Sequence, residues 1–229
     1  MDTSRIEMVI GQAALGRLQQ ARVALLGLGG VGSYVAEALV RSGLGALTII
    51  DGDTVEASNI NRQLPALQST IGQRKADIVA ARLGDINPQC QLTVVSKFYT
   101  PGTFEDFLDG DYDYIVDAID DVPAKLDIIK NCVARQLPLI IACGTGNKLN
   151  PSLLKIADIS QTSVCPLARR LRSALRKEGI TKGVTVVFST EEPQKLTTGA
   201  TPGSLVFVPA SAGMLMASYV VQNIITKDN

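Results

Sequence analysis

The chain has 229 residues, of which 46% are hydrophobic and 19% are charged, a composition that excludes a disordered chain and can bury a substantial core. Its 22 Lys and Arg residues balance its 22 Asp and Glu residues, which excludes a globally basic nucleic-acid-binding protein but not a local basic patch. Histidine is absent, and this excludes His-dependent nucleophile pairs and His-ligated metal sites. Any catalysis must therefore use Lys, Arg, Asp, Glu, Cys, backbone amides or a bound metal.

The cysteines and the apolar stretches indicate a cytoplasmic protein. Cys90, Cys132, Cys143 and Cys165 form no C-x-x-C pair, so we expect reduced thiols and no structural zinc. The first residues lack the basic and apolar run of a secretory signal. The longest apolar stretch, 210–225, is interrupted by polar residues, which predicts a buried helix and no membrane partner.

Apolar runs alternate with amphipathic stretches through the first 142 residues. This alternation predicts βαβ units and a Rossmann-like, doubly wound, mainly parallel α/β sheet. The predicted strands are 22–27, 47–51, 91–97, 112–117 and 138–142, and the predicted helices are 29–43, 74–86 and 122–135.

The pattern changes past Gly144, and we place a soft boundary near residue 150. Residues 1–150 are the predicted nucleotide-binding core, and 151–229 are the predicted C-terminal extension of mixed strands and helices, continuous with that core. The extension contains predicted strands at 153–156 and 185–188, a basic helix at about 166–178, a polar loop at 190–203 and a buried C-terminal helix at about 210–226.

A glycine-rich turn follows the first strand and opens the first helix. Its sequence, G-L-G-G-V-G, is a G-x-G-x-x-G motif whose glycines are Gly27, Gly29, Gly30 and Gly32. Such a turn lets the backbone approach phosphate, and the helix N-terminus supplies N–H donors and partial positive charge. Asp51 ends the next strand, 19 residues after Gly32, a spacing that suits a carboxylate on a ribose hydroxyl. The motif alone does not choose between a dinucleotide and ATP.

Polar residues beyond Asp51 favour phosphoryl or nucleotidyl transfer. Asn59 and Arg62 lie in a long polar segment, and Lys75 begins the next helix, so both cations can reach the same crevice. Asp120 and Asp121 follow the fourth strand at the sheet edge where open α/β proteins bind ligands. Cations neutralise charge on a leaving pyrophosphate, and Asp120 is the candidate Mg²⁺ ligand. Each of these residues also has a simpler interpretation. A single cation such as Arg62 or Lys75 is typical of a solvated surface, and Asp121 before a proline is typical of a helix cap.

Five segments together resemble the ThiF/MoeB superfamily, which includes the adenylating domains of ubiquitin-activating enzymes. They are GLGGVGS (27–33), LTIIDGD (47–53), SNINRQ (58–63), Lys75 and DAIDD (117–121). The resemblance implies ATP·Mg²⁺-dependent adenylation of a carboxylate. It implies that Asp51 holds the ribose, that Asp53 belongs to the ATP site, that Asn59, Arg62 and Lys75 contact phosphates, and that Asp120 binds Mg²⁺. It also implies a homodimer in which Arg5 reaches the partner's ATP site.

Segments of the second half are similar to those of the tRNA threonylcarbamoyladenosine dehydratase branch of that superfamily. They are ADIS (157–160), CPLA (165–168), FSTEEP (188–193) and FVPASAG (207–213). This likeness implies adenylation of the threonyl carboxylate beside the anticodon, followed by ring closure with loss of AMP. The competing hypotheses are an adenylyltransferase for the C-terminal glycine of a ubiquitin-like sulfur carrier, an NAD-dependent oxidoreductase and a non-catalytic binding scaffold. Two questions stay open: whether a monovalent cation binds at the loop 143–148, and whether a cysteine desulfurase or sulfur-acceptor system is a partner.

The predicted helix at 166–178 opens a concentrated basic segment. Residues 166–182 contain six cationic side chains against Glu178 alone, a net charge of +5 in a neutral chain. Such a patch is typical of contact with a phosphate backbone, although a solvated helix face has the same composition. The candidate tRNA-binding residues are Arg169, Arg170, Arg172, Arg176 and Lys177. Cys165 adjoins this helix, which we expect to lower its thiol pKa, and it is either a thioester nucleophile or a structural thiol.

Overall fold

The computed structural model describes residues 1–194 and 202–226, and the strands within these residues form one sheet. The strands are β1 (Arg22–Leu26), β2 (Ala46–Ile50), β3 (Gln91–Val95), β4 (Tyr114–Asp117), β5 (Leu139–Ala142), β6 (Leu154–Asp158) and β7 (Thr185–Ser189). Their order across the sheet is β3-β2-β1-β4-β5-β7-β6. Every neighbouring pair is parallel except β6 and β7. This topology confirms the predicted mainly parallel α/β fold.

Helices cover both faces of the sheet. They are α1 (Ser4–Ile10), α2 (Gln12–Gln20), α3 (Gly32–Arg41), α4 (Lys75–Ile86), α5 (Phe104–Leu108), α6 (Val122–Ala134), α7 (Pro166–Lys177) and α8 (Phe207–Thr226). One core lies between the sheet and α2, α3, α4 and α8, and the other lies between the sheet and α5, α6 and α7. Alternate residues of β1 point into the two cores, which explains why this strand is a continuous apolar run.

Helices α1, α2 and α5 were not predicted from the sequence. The short helix α1 buries no residue within its own chain, so its sequence carries no apolar stripe that marks a core. Helix α5 has five residues, which is too short for helical periodicity to stand out.

The strands beyond residue 150 join the same sheet as the first five. β7 pairs with β5 in parallel, with Ile140 opposite Thr185, and β6 pairs antiparallel with β7 at the sheet edge. The sequence predicted both strands without their direction. Of the predicted loop 190–203, residues 195–201 lie outside the described part of the chain.

Helix α8 corresponds to the predicted C-terminal helix, begins three residues earlier, at Phe207, and is buried along one face. By length and composition it could also cross a membrane, and 44% of its apolar window is buried in the protein. It packs against α2 and α3. Gly213 allows this contact, because a Cβ atom there would lie 2.5 Å from the carbonyl oxygen of Val31, next to the glycine turn. The C-terminal helix therefore supports the start of α3.

Candidate active site at the carboxyl edge of the sheet

The glycine turn between β1 and α3 has no room for side chains at two of its positions. Gly27 has φ +89°, and a Cβ atom there would lie 2.8 Å from the backbone of Ala118, which follows β4. A Cβ atom on Gly32 would lie 1.8 Å from the carbonyl oxygen of Gly27. The turn is therefore tight, and it brings the N-terminus of α3 to the cavity that opens above β1.

Asp51 ties the end of β2 to the glycine turn. Its Oδ2 accepts a hydrogen bond from the N–H of Leu28 at 2.6 Å, and its Oδ1 accepts one from the N–H of Asp53 at 2.7 Å. Burial raises the pKa of this carboxyl group above its ordinary value, while the two N–H donors and Lys75 oppose the shift. The residue predicted to hold a ribose thus lines the cavity in a fixed orientation.

Both predicted cations line this cavity. Lys75 is buried, with 6% of its side chain exposed, and its Nζ lies 2.9 Å from Oδ2 of Asp53. Arg62 donates two hydrogen bonds of 2.8 Å, to the carbonyl oxygen of Ser58 and to Oδ1 of Asn61. A buried ammonium held by one half-exposed carboxylate, beside a guanidinium, is suited to an anionic ligand.

Asn59 lies in the interior of the loop that carries Arg62. Its Oδ1 accepts a hydrogen bond from the N–H of Glu56 at 3.1 Å, and its Nδ2 donates to Oγ of Ser58 at 3.3 Å. It is not among the residues that line the cavity. In this arrangement Asn59 braces the loop, and the phosphate contact predicted for it stays a prediction.

The two aspartates after β4 have different roles. Asp121 caps α6, because its Oδ2 accepts a hydrogen bond from the N–H of Ala124 at 2.8 Å, as one of the two sequence interpretations predicted. Asp120 is exposed, lines the cavity and has no hydrogen-bond or ion-pair partner among residues 1–194 and 202–226. Asp120 is therefore the free carboxylate at this edge.

A buried ion pair that the sequence analysis missed holds the turn carrying Asp120. Nζ of Lys125 lies 2.9 Å from Oδ2 of Asp117, and neither side chain is exposed. Oδ1 of Asp117 accepts a hydrogen bond from the N–H of Ile119 at 3.0 Å. Burial raises the pKa of Asp117, and Lys125 opposes that rise. The sequence does contain a signal for this pair, because Lys125 lies within the apolar stripe of α6, among residues such as Ile128.

The whole cavity has a volume of about 790 Å³, within the range of small-molecule sites. It is formed by the segments that follow β1, β2, β3, β4 and β5, together with Leu167, Ser204 and Pro209. Parallel strands present their carboxyl ends at one edge, which is why residues from five separate segments meet there.

The loop after β5 is braced by a buried lysine. Nζ of Lys148 donates to the carbonyl oxygens of Ser189 and Glu191 at 3.0 and 2.9 Å, and burial lowers its pKa. The Glu191 carboxylate accepts hydrogen bonds from the N–H groups of Leu149 and Asn150, and these donors lower its pKa. The two loops after β5 and β7 are therefore held as one unit.

Cys165 caps α7, and 1% of it is exposed. A hydrogen bond from the Cys143 thiol lowers the pKa of Cys165 to about 5, with further help from the N–H groups of Ala168, Gly144 and Leu167. The same bond raises the pKa of Cys143. The lowered pKa agrees with the expectation, but its cause is a neighbouring thiol and a helix N-terminus rather than the basic side chains of α7.

Helix α7 presents an exposed basic face over its buried apolar face. Ala168, Leu171 and Leu175 are buried against the sheet. The five predicted tRNA-binding residues lie on this helix, and four of them, together with Ser173, line a shallow surface hollow of about 410 Å³: Arg169, Arg172, Arg176 and Lys177. Nη1 of Arg172 also donates to the carbonyl oxygen of Thr162 at 2.9 Å.

Arg5 lies outside the cavity of its own chain. It is an exposed residue of α1, and the residues that line the cavity do not include it. Its neighbours Met8 and Val9 are each 84% exposed.

Comparison with known proteins supports a single family. The model of the ThiF family matches residues 3–229. The chain is 43% identical to the tRNA threonylcarbamoyladenosine dehydratase of Bacillus subtilis, over 97% of this chain and 94% of that protein. It is 34% identical to the enzyme of that name from Escherichia coli, over 95% and 91% of the two chains.

Solved structures agree with the sequence relatives. The E. coli tRNA N6-threonylcarbamoyladenosine dehydratase in complex with ATP superposes with a TM-score of 0.91 at 36% identity, covering 96% of this chain and 92% of that chain. Its complex with AMP superposes with a TM-score of 0.92 over the same shares. The chain therefore belongs to the ThiF family.

Proposed function

We propose that this protein is an ATP-dependent tRNA threonylcarbamoyladenosine dehydratase. In this reaction the threonyl carboxylate of the modified adenosine attacks the α-phosphate of ATP, pyrophosphate leaves, and ring closure then expels AMP, with the net loss of one water. The observation that carries the proposal is the cavity at the sheet edge, where the glycine turn, Asp51, Arg62 and Lys75 meet in the fold of relatives that bind ATP.

Each part of the cavity has a role in this proposal. The glycine turn and the N-terminus of α3 bind phosphates, and Asp51 binds the ribose. Lys75 and Arg62 neutralise the charge that builds on the leaving pyrophosphate, Asp53 orients Lys75, and Asn59 braces the Arg62 loop. The proposed ATP-binding residues are Gly27, Gly29, Gly30, Gly32, Asp51, Asp53, Asn59, Arg62 and Lys75.

The residues present also fit Mg²⁺ bound to a nucleotide. Magnesium is usually held by one or two carboxylates together with substrate phosphates and waters. Asp120 supplies one free carboxylate at the cavity, and no group of three or more His, Cys, Asp and Glu residues within the described ranges forms a metal cage. The ion would supply positive charge to the phosphates when bound, and Asp120 would hold it.

The second step needs no relay thiol. After adenylation, the activated carbonyl and the nucleophile that attacks it belong to one molecule, so closure is intramolecular. Cys165 is buried and serves as a helix cap, which supports a structural role for its thiol.

The proposed ATP site belongs mainly to residues 1–150, and the proposed tRNA-facing surface belongs to residues 151–229. Within the second part, the basic face of α7 is the proposed tRNA contact. Each cation that neutralises a phosphate contributes about one unit to the salt dependence of binding. Replacing Arg176 and Lys177 together by glutamine should therefore reduce the slope of log affinity against log salt by about two. Arg41 at the end of α3, on the opposite face of the sheet, provides the matched control.

We also propose a homodimer in which α1 packs on the partner and delivers Arg5 to its ATP site. The support is that α1 buries nothing in its own chain while exposing Met8 and Val9. A cytoplasmic location follows from the proposed tRNA substrate and the four free cysteines.

The deciding experiment incubates the protein with ATP, Mg²⁺ and tRNA that carries the uncyclised threonylcarbamoyl group. We expect pyrophosphate release, and mass analysis of the nucleoside should find the loss of one water. Absence of release with tRNA, together with ATP–pyrophosphate exchange on a glycine-ended carrier protein, would instead assign the chain to carrier activation.

A further inference from the structure

The cavity has two ends with different linings. One end contains Asp51 and residues 97–101, which follow β3. The other contains Thr145, Gly146 and Ser204, none of which the ATP assignment uses. In the sheet order, β5 lies two strands from β1, which is about 10 Å in a parallel sheet. The second end is therefore separate from the ribose but within reach of the phosphates bound at the glycine turn.

A short segment, residues 202–204, contributes Ser204 to the wall of this second end and is anchored on both sides. On one side, the N–H of Asn147 donates to the carbonyl oxygen of Gly203 at 2.8 Å, and the N–H of Gly203 donates to Oδ1 of Asn147 at 2.6 Å. On the other side, Nδ2 of Asn61 donates to the carbonyl oxygen of Ser204 at 2.7 Å. The segment thus connects the loop after β5 to the loop that carries Arg62.

The contact between this wall and the loop after β5 is close. A Cβ atom on Gly146 would lie 2.9 Å from Cβ of Pro202, so glycine is required there. Thr145 and Ser204 line the space next to this contact, and neither hydroxyl has a hydrogen-bond partner in the part of the chain that the structure describes. Two unpaired hydroxyls at a cavity wall are suited to a polar ligand.

The second end also continues into the basic face of α7. Leu167, in the first turn of α7, lines the cavity, and Arg169, Arg172 and Arg176 follow along the same helix. Leu167 and Arg176 are nine residues apart, which is about 14 Å along a helix. A nucleic acid whose phosphates contact this face can therefore place one flipped-out nucleoside at the β5 end of the cavity.

We propose that Thr145, Gly146 and Ser204 form the acceptor subsite, which receives the carboxylate-bearing nucleoside, and that Asn147 and Asn61 position its wall. This inference rests on the function proposed above. The subsite places the acceptor carboxylate on the side of the phosphates that faces away from Asp51. The hydroxyls of Thr145 and Ser204 donate hydrogen bonds to the oxygen atoms of the modified nucleoside.

The test compares Thr145→Val and Ser204→Ala with the wild-type protein, because each change removes one hydroxyl and little else. Loss of one such hydrogen bond should raise the KM for threonylcarbamoylated tRNA roughly two- to tenfold, while ATP affinity measured by calorimetry stays at the wild-type value. Asn147→Gly retains the positive φ of 59° but removes the side-chain anchor, and it should raise the same KM. Thr93→Val, on the edge strand β3, is the matched control and should change neither value.

Wild-type turnover is measured first, and its absence would overturn the proposed function together with this inference. If the wild-type protein turns over, unchanged tRNA KM in both hydroxyl variants overturns the acceptor subsite alone. A parallel loss of ATP affinity also overturns it, because it would assign these residues to the nucleotide or to the fold.

Discussion

Replacement of Lys125 by methionine tests the buried ion pair beneath the cavity. Lys125 and Asp117 are 2.9 Å apart with no exposed side-chain surface, so the replacement leaves a buried carboxylate without its charge partner. Breaking such a pair costs about 3–5 kcal/mol of the free energy of unfolding. Each kcal/mol corresponds to about 2–4 °C in a chain of this size, so we expect Tm to fall by roughly 6–20 °C.

The stability lost in the Lys125→Met variant should depend on pH, and the direction of this dependence follows from the pKa of Asp117. Burial raises this pKa and Lys125 opposes the rise, so removing Lys125 raises the folded-state pKa further. A folded-state pKa above the unfolded value, which is about 4, means that the folded protein holds the proton more tightly. Stability is then greatest below the unfolded pKa and declines as pH rises towards the folded pKa. The variant should therefore be closer to the wild-type protein at pH 5 than at pH 8.

Thermal and urea unfolding at both pH values provide the measurement, and a double variant provides the control. Lys125→Met combined with Asp117→Asn removes both charges and retains an Oδ1 acceptor for Ile119, so it should recover much of the lost stability. Any of three results would refute the stabilising role of the ion pair. They are a single variant as stable as the wild-type protein, an equal loss of stability at both pH values, and a double variant no more stable than the single one.

Three further predictions concern the active site and its support. Lys75→Ala should slow pyrophosphate release about a thousandfold, since cations on the transferring phosphates contribute this much elsewhere; an unchanged rate would contradict its role. Mixing Arg5→Ala and Asp120→Asn proteins should restore turnover, because random pairing leaves about one site in four intact if Arg5 acts across a dimer; turnover no higher than either parent would count against it. Gly213→Ala should lower stability by about 1–3 kcal/mol in thermal unfolding, because its Cβ atom would lie 2.5 Å from a backbone carbonyl. Gly84→Ala, where no atom lies within 4 Å of the added carbon, is its control and should be neutral or stabilising.

Features that depend on neighbouring residues were predicted well from the sequence. The central strands are apolar runs because both sheet faces are covered, and the glycine turn has its own short motif. The cap formed by Asp121 was one of two interpretations, and the proline at position 123 marks it. Features that depend on contacts between different elements were missed or assigned the wrong cause. The partner of Lys125 is eight residues away on another element, and the donor to Cys165 is Cys143, which follows a different strand.

The sequence by itself determined the α/β class, the edge of the sheet that carries the site and several of the residues that line it, among them Gly27, Asp51, Lys75 and Asp120. It did so because periodicity and turn chemistry are local, and because parallel strands always bring their carboxyl ends to one edge. Tertiary structure alone decided that β6 runs antiparallel, and that residues 202–204 are held between Asn61 and Asn147, where Ser204 lines the cavity. These features depend on contacts between segments far apart in the chain, which compete for the same space and hydrogen bonds, and no local pattern records the outcome of that competition.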